Sequence, residues 1–169
     1  MLEPLMPSAA HGLFVALGLV VAANAAPVLV ALLLGPRLAR PIDGGRCGRD
    51  GRPLLGGSKT WRGLAASLVA TAALSAWWLG DPRTGLAVAA LAMAGDLASS
   101  YLKRRRGLRS GAGVAGLDQL PESVLPLLAL RGPLDLGAAD MLGVTLAFLV
   151  LDLIGTRLHV VLRARRGPR

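Results

Sequence analysis

The sequence predicts an all-α polytopic membrane protein with about five transmembrane helices, on three observations. First, the 169 residues are 53% hydrophobic with mean hydropathy +0.55, too apolar for an ordinary soluble domain. Second, about five runs approach the ~20 residues needed to cross a bilayer. Third, the basic residues are strongly segregated along the chain, as an oriented membrane protein requires. One transmembrane domain over residues 1–169 is expected, with the N-terminus outside, the C-terminus cytoplasmic, and two basic cytoplasmic loops forming the site.

The elements follow in order. Span 1 covers about 11–34 and contains Asn24 and Pro27. Its flank carries Glu3 and no Lys or Arg before it, unlike a cleavable signal peptide, which opens on a basic segment. A loop over about 35–61, rich in Gly, Arg and Asp, leads to span 2 at about 62–79. The turn Gly80, Asp81, Pro82, Arg83 leads to span 3 at about 85–102, and a second polar loop covers about 103–119. Span 4, about 114–131, is the weakest, because it carries Pro121 and Pro126 and is either short or partly re-entrant. Span 5 covers about 138–162, before a basic tail.

With five spans, Arg37, Arg40, Arg46, Arg49, Arg52, Lys59 and Arg62 share a side with Lys103, Arg104, Arg105, Arg106 and Arg109. The C-terminal Arg157, Arg163, Arg165, Arg166 and Arg169 join them; of the 19 basic residues only Arg83 and Arg131 fall on the other side. Positive charge marks the cytoplasmic side. This placement accounts for the net charge of +9 without nucleic acid. Trp61 marks the inner end of span 2 and Trp77 and Trp78 its outer end, roughly 24 Å apart at 1.5 Å per residue. Small residues such as Ala65, Ala66, Ser67, Ala87, Ala89, Ala90, Ala92 and Ala94 predict close helix packing.

Asp96 is the chemically informative residue. A carboxylate inside the apolar zone costs roughly 2.5–3.5 kcal/mol and therefore needs a partner. Asp96, Ser99, Ser100 and Lys103 lie at i, i+3, i+4 and i+7, on one helix face, and form a polar stripe that ends at the cytoplasmic surface. Carboxylate oxygens suit Mg²⁺, usually bound by one or two carboxylates together with substrate phosphates. The plain alternative is a salt bridge that serves assembly. Asp118, with Glu122 one turn on, is the natural second ligand or else a helix cap. The stretch Asp50 to Gly63 resembles a phosphate loop, although after Gly51-x4-Gly56 it has Gly57 where a Walker A motif has Lys. Its amides, Lys59 and Arg62 are suited to phosphate; the alternative is a basic loop on anionic lipid.

Other signals are weak. Gly111, Gly113 and Gly116 match G-x-G-x-x-G, but no strand leads in and no acid follows at the ribose distance. His11 and His159 have no metal-ligand spacing, and Cys47 has no cysteine to pair with. Pro27 frees a backbone carbonyl, and Asn24 either bonds across helices or lines the pocket. Asp152 in span 5 pairs with Arg157 or a basic loop residue, or has another role.

Taken together, Asn24 to Pro27, the runs Pro41-Ile42-Asp43 and Asp50-Gly51-Arg52, Gly57 to Gly63, Gly95-Asp96-Leu97, Ser100-x-x-Lys103-Arg104 and Leu117-Asp118-Gln119-Leu120 resemble the CDP-archaeol synthases, relatives of CDP-diacylglycerol synthases. The resemblance implies five membrane helices and a Mg²⁺-dependent cytidylyltransferase that moves CMP from CTP to a lipid phosphate from the cytoplasmic leaflet. It implies Asp96 and Asp118 as metal ligands, with Glu122 a further candidate because Pro121 replaces the family's second acid. Lys59, Arg62, Lys103 and Arg104 would contact phosphates, and Ser100, Thr60, Asn24 and Asp43 would lie near the substrates. The Arg- and Ala-rich composition points to the cytoplasmic (inner) membrane of a bacterium. Phosphatidic acid and polyprenyl phosphate are alternative acceptors. Two other classes fit the bare sequence: a transporter with Asp96 as ion site, and a lipid-binding scaffold.

Overall fold

The computed structural model describes residues 8–108 and 119–165. Five helices follow one another: α1 (Ser8–Leu34), α2 (Trp61–Leu79), α3 (Pro82–Arg105), α4 (Gln119–Leu130) and α5 (Ala138–Arg165). Among the described residues there are isolated bridges but no strands. α1 touches every other helix, α2 to α5 pack in sequence around it, and α5 closes on α1.

Local chemistry sets the helix ends. Thr60 caps α2, accepting from the Gly63 amide, and Gly80 at φ 68° ends it in the left-handed region, its N–H donating to the Ala76 carbonyl, as helix C-termini favour. Asp81 caps α3 through the amides of Arg83 and Thr84, with Pro82 beginning the helix. α3 therefore starts earlier and ends later than expected. Lys103, Arg104 and Arg105 belong to its last turn, not to a loop. The hydropathy drop misplaces them, since cations at a helix C-terminus are favoured by its dipole.

Among the described residues, three helical segments are long and apolar enough to cross a membrane: Ala10–Leu34, Pro82–Arg105 and Ala138–Gly155. α2 has 19 residues, about 28 Å at 1.5 Å per residue. It falls below that apolarity because its buried face is Gly63, Ser67, Thr71 and Ser75. Of the small residues expected to pack, Ser67 on α2 and Ala89 and Ala92 on α3 are buried, whereas Ala65, Ala87, Ala90 and Ala94 are exposed. α4 has 12 residues, about 18 Å, short of a bilayer core; positions 114–118 of the expected span lie outside the described residues.

Pro27 lacks the N–H that would bond the Ala23 carbonyl one turn back. Ser67 of α2 fills the gap, its hydroxyl donating to that carbonyl at 2.7 Å. Asn24, expected to bond across helices or to line the pocket, donates to Val20 of its own helix at 2.9 Å. Trp78 is no interface marker: its ring lies over Gly18, where an added Cβ would be 2.5 Å away, and packs on Phe14 at 5.2 Å. Trp77 is 84% exposed. The apolar core is Val15, Leu19, Val20, Val88, Leu127, Leu130, Val144 and Phe148, while Leu33, Val69, Leu142 and Ile154 face outward, as a lipid-facing surface requires.

Candidate functional site

The site is built on the C-terminal half of α3. Gly95 lies against the first turn of α4: a Cβ there would sit 2.5 Å from the Pro121 carbonyl oxygen and 3.0 Å from the Glu122 nitrogen. This contact draws α4 onto the polar stripe of α3. Ser99, Ser100, Lys103 (6% exposed) and Arg104 (4%) are buried on α3, as are Gln119, Glu122 and Ser123 on α4. Burial keeps these polar side chains from lipid, where they would be costly. Ser99 is partly spent on its own helix, its hydroxyl donating to the Asp96 carbonyl at 3.0 Å.

Asp96 has its partner. Lys59 Nζ donates to Asp96 Oδ1 at 2.5 Å, with the two side chains 19% and 18% exposed. Lys59 of the loop and Asp96 of α3, 37 residues apart, form one part-buried ion pair beside the basic end of α3. Arg104 contributes a buried guanidinium whose Nε has no hydrogen-bond partner, a donor suited to an anion.

The loop presenting Lys59 is a pinned structure. Ile42 donates to the Lys59 carbonyl at 2.8 Å and Trp61 to the Arg40 carbonyl at 3.1 Å, so the two ends of the loop run antiparallel. Asp43 organises this loop. Its carboxylate accepts from the amides of Gly45 at 2.9 Å, Leu55 at 2.9 Å and Gly56 at 3.1 Å. Desolvation pushes the Asp43 carboxyl up, but these amides outweigh it and hold it below its ordinary 3.8. The Leu55 and Gly56 amides thus already hold an internal anion and do not form the cradle expected of a phosphate loop. Thr60 is the α2 cap, accepting from Gly63 at 3.3 Å, and places the helix's positive end beside Lys59. Arg62 donates to the Arg37 carbonyl, which anchors the loop's entry.

A second clasp was not foreseen. Arg105 donates to Asp50 Oδ1 at 2.5 Å, the Arg52 carbonyl at 3.1 Å and the Pro53 carbonyl at 2.7 Å. Arg52 returns a bond to the Arg105 carbonyl at 2.8 Å. Desolvation raises the Asp50 carboxyl, yet the Arg105 hydrogen bond and charge, with the Arg52 amide, hold it below 3.8. The Asp50-Gly51-Arg52 motif therefore ties the loop to α3. A lone Asp-Gly-Arg gives no hint of an arginine 55 residues on.

Asp118 lies outside the described residues. Among the described residues no group of three His, Cys, Asp or Glu gathers as a metal site. Asp152 finds neither Arg157 nor a loop cation among the described residues; its Oδ2 accepts from Gln119 Nε2 at 2.8 Å.

No protein-family model matches the chain. It is 43% identical to the CDP-archaeol synthase of Thermococcus kodakarensis over 58% of its own length and 60% of that protein's. It is 37% identical to the CDP-archaeol synthase of Natronomonas pharaonis over 79% and 82%. The match thus spans less than two thirds of the Thermococcus protein but most of the Natronomonas one. Its fold superimposes with a TM-score of 0.70 on a solved intramembrane enzyme for archaeal membrane lipid biosynthesis, at 32% identity over 84% of this chain and 90% of that one.

Proposed function

The chain belongs to the CDP-archaeol synthase family, and from that premise we propose that it transfers CMP from CTP to a membrane lipid phosphate and releases pyrophosphate. The observation that carries the reading is the Lys59–Asp96 pair. It joins a loop lysine to a membrane-helix carboxylate beside buried Lys103 and Arg104, where a soluble polyphosphate and a lipid headgroup can meet.

In the proposed reaction a lipid phosphate oxygen attacks the α-phosphorus of CTP. The new P–O bond forms in line as the bond to the β-phosphate breaks, and its electron pair leaves with pyrophosphate. A phosphate monoester is already anionic near neutral pH, so the step needs charge neutralisation and alignment rather than a strong base. Lys59, Lys103 and Arg104 supply fixed positive charge, and the unspent Nε–H of Arg104 suits a phosphate oxygen. Ser100 lines the same face. Arg62, Thr60 and Asp43 act by holding Lys59 in register, and Asn24 stays with α1.

The residues fit Mg²⁺. Asp96 offers hard oxygens and is 18% exposed, and a site with few protein carboxylates is the usual one for this ion beside phosphates. Asp96 would hold it, with Glu122 and Asp118 as the further candidates. When bound, Mg²⁺ supplies Lewis-acid neutralisation of phosphate charge. The relatives' names point to an archaeol-type acceptor, with phosphatidic acid and polyprenyl phosphate as chemical alternatives. Charge segregation supports a site at the cytoplasmic face of the cytoplasmic membrane, which in a bacterium is the inner membrane.

The test is pyrophosphate release by purified protein in detergent with CTP, Mg²⁺ and a panel of lipid phosphates that vary in tail and linkage. Release should require both CTP and one lipid class. Nucleotide-independent lipid binding, or uptake into vesicles without CTP, would contradict the reading.

A further inference from the structure

The transfer described above makes no use of Asp152, although a carboxylate on a membrane helix is costly unless it has a partner. Its partner crosses between helices: Gln119 Nε2 donates to Asp152 Oδ2 at 2.8 Å over 33 residues. Gln119 opens α4 and is buried. Its carbonyl accepts the Ser123 hydroxyl at 2.7 Å, which ties it to the next turn. Between them stand Pro121 and Glu122, the residues that meet Gly95, the neighbour of Asp96. A continuous path therefore runs from α5 through the first turn of α4 to the α3 carboxylate.

We propose that Asp152 is a positioning residue, whose carboxylate holds Gln119 so that the first turn of α4 stays seated on α3 beside Asp96. The inference rests on the transferase reading for its effect on catalysis but not for its geometry. The acceptor oxygen matters more than the charge: an amide oxygen in the same place can still accept from Gln119, whereas a methyl cannot. The loss should appear as weaker engagement of the charged substrate, because α4 forms one wall of the site while Lys59 and Asp96 are on other elements.

The experiment compares wild type, Asp152→Asn, Asp152→Ala, Gln119→Ala and the double Asp152→Ala/Gln119→Ala as full chains in detergent. CMP transfer is measured against CTP at fixed Mg²⁺, and amide hydrogen exchange is read helix by helix. Asp152→Ala should raise KM for CTP about tenfold and change kcat by less than about threefold, as expected of lost binding rather than lost transition-state contacts. Asp152→Asn should stay within about threefold of wild type, and the double variant should be no worse than Asp152→Ala, as for a coupled pair. Exchange should rise in the first turn of α4 in the Ala variants and not in Asp152→Asn. Equal damage from Asn and Ala, additive losses, or unchanged exchange in α4 would overturn the proposal. If wild type transfers nothing, the transferase reading falls. The exchange pattern then decides alone whether Asp152 seats α4.

Discussion

Asp96 and Lys59 meet at a depth where neither charge is well solvated, and each accounts for the other's presence. The proposed chemistry asks Asp96 for its negative charge as well as its shape. Asp96→Asn preserves the shape and removes the charge. It should leave helical content and detergent elution unchanged while lowering CMP transfer by about 100-fold or more, the size of loss seen when one preorganised electrostatic group is removed. Normal turnover by well-folded Asp96→Asn would remove this carboxylate from the mechanism. Asp96 was legible in the sequence because a carboxylate in an apolar run is conspicuous. Its partnership with Lys59 was not, because no periodicity links residues 37 apart. The same holds for Gln119 and Asp152, and for Arg105 and Asp50. Asp43 was noticed for its motif, but its work on the amides of Gly45, Leu55 and Gly56 depends on a loop path that local spacing does not encode.

Between the helices, close approach is set by residues that lack side chains. Gly95 and Gly85 are the tightest such places on α3, the latter with a Cβ position 2.4 Å from the Thr71 carbonyl oxygen. Gly95→Ala would force α4 away from the site, since the clash is with backbone. Overpacking of this kind costs about 1–3 kcal/mol, and thermal unfolding in detergent should show the loss along with reduced transfer. Gly143→Ala on α5, where nothing lies within 4 Å, is the control and should match wild type. Parity of the two variants would contradict the α3–α4 contact. The five helices themselves were legible from apolar runs and turn residues. The end of α3 was misread because Lys103, Arg104 and Arg105 look like a loop by hydropathy. They are helical because the dipole favours them, and the first two are buried. On α2 the small-residue reading named Ser67 but also Ala65 and Ala66, whereas burial selects Gly63, Ser67, Thr71 and Ser75.

The whole molecule places its chemistry at one end of a helical bundle. Pro27 with Ser67, Thr60 with Gly63, and Gly95 with Pro121 all lie toward the end that carries Lys59 and the basic last turn of α3. On the orientation expected from charge segregation, that end would face the cytoplasm, where CTP is found. Cys47, the one cysteine, is exposed in the clasped loop and reports this orientation directly. A membrane-impermeant maleimide should label it in inverted vesicles and spare it in intact cells. Labelling from outside would put the site on the wrong side for its nucleotide.

The most direct measurement follows the phosphorus atoms. CTP labelled at the α-phosphate, and separately at the γ-phosphate, is incubated with the protein, Mg²⁺ and the lipid-phosphate panel, and the lipid phase is extracted. Cytidylyl transfer predicts α label in the lipid and γ label in aqueous pyrophosphate. Label in the lipid from the γ position, or from neither position with folded protein and every acceptor tried, would contradict it.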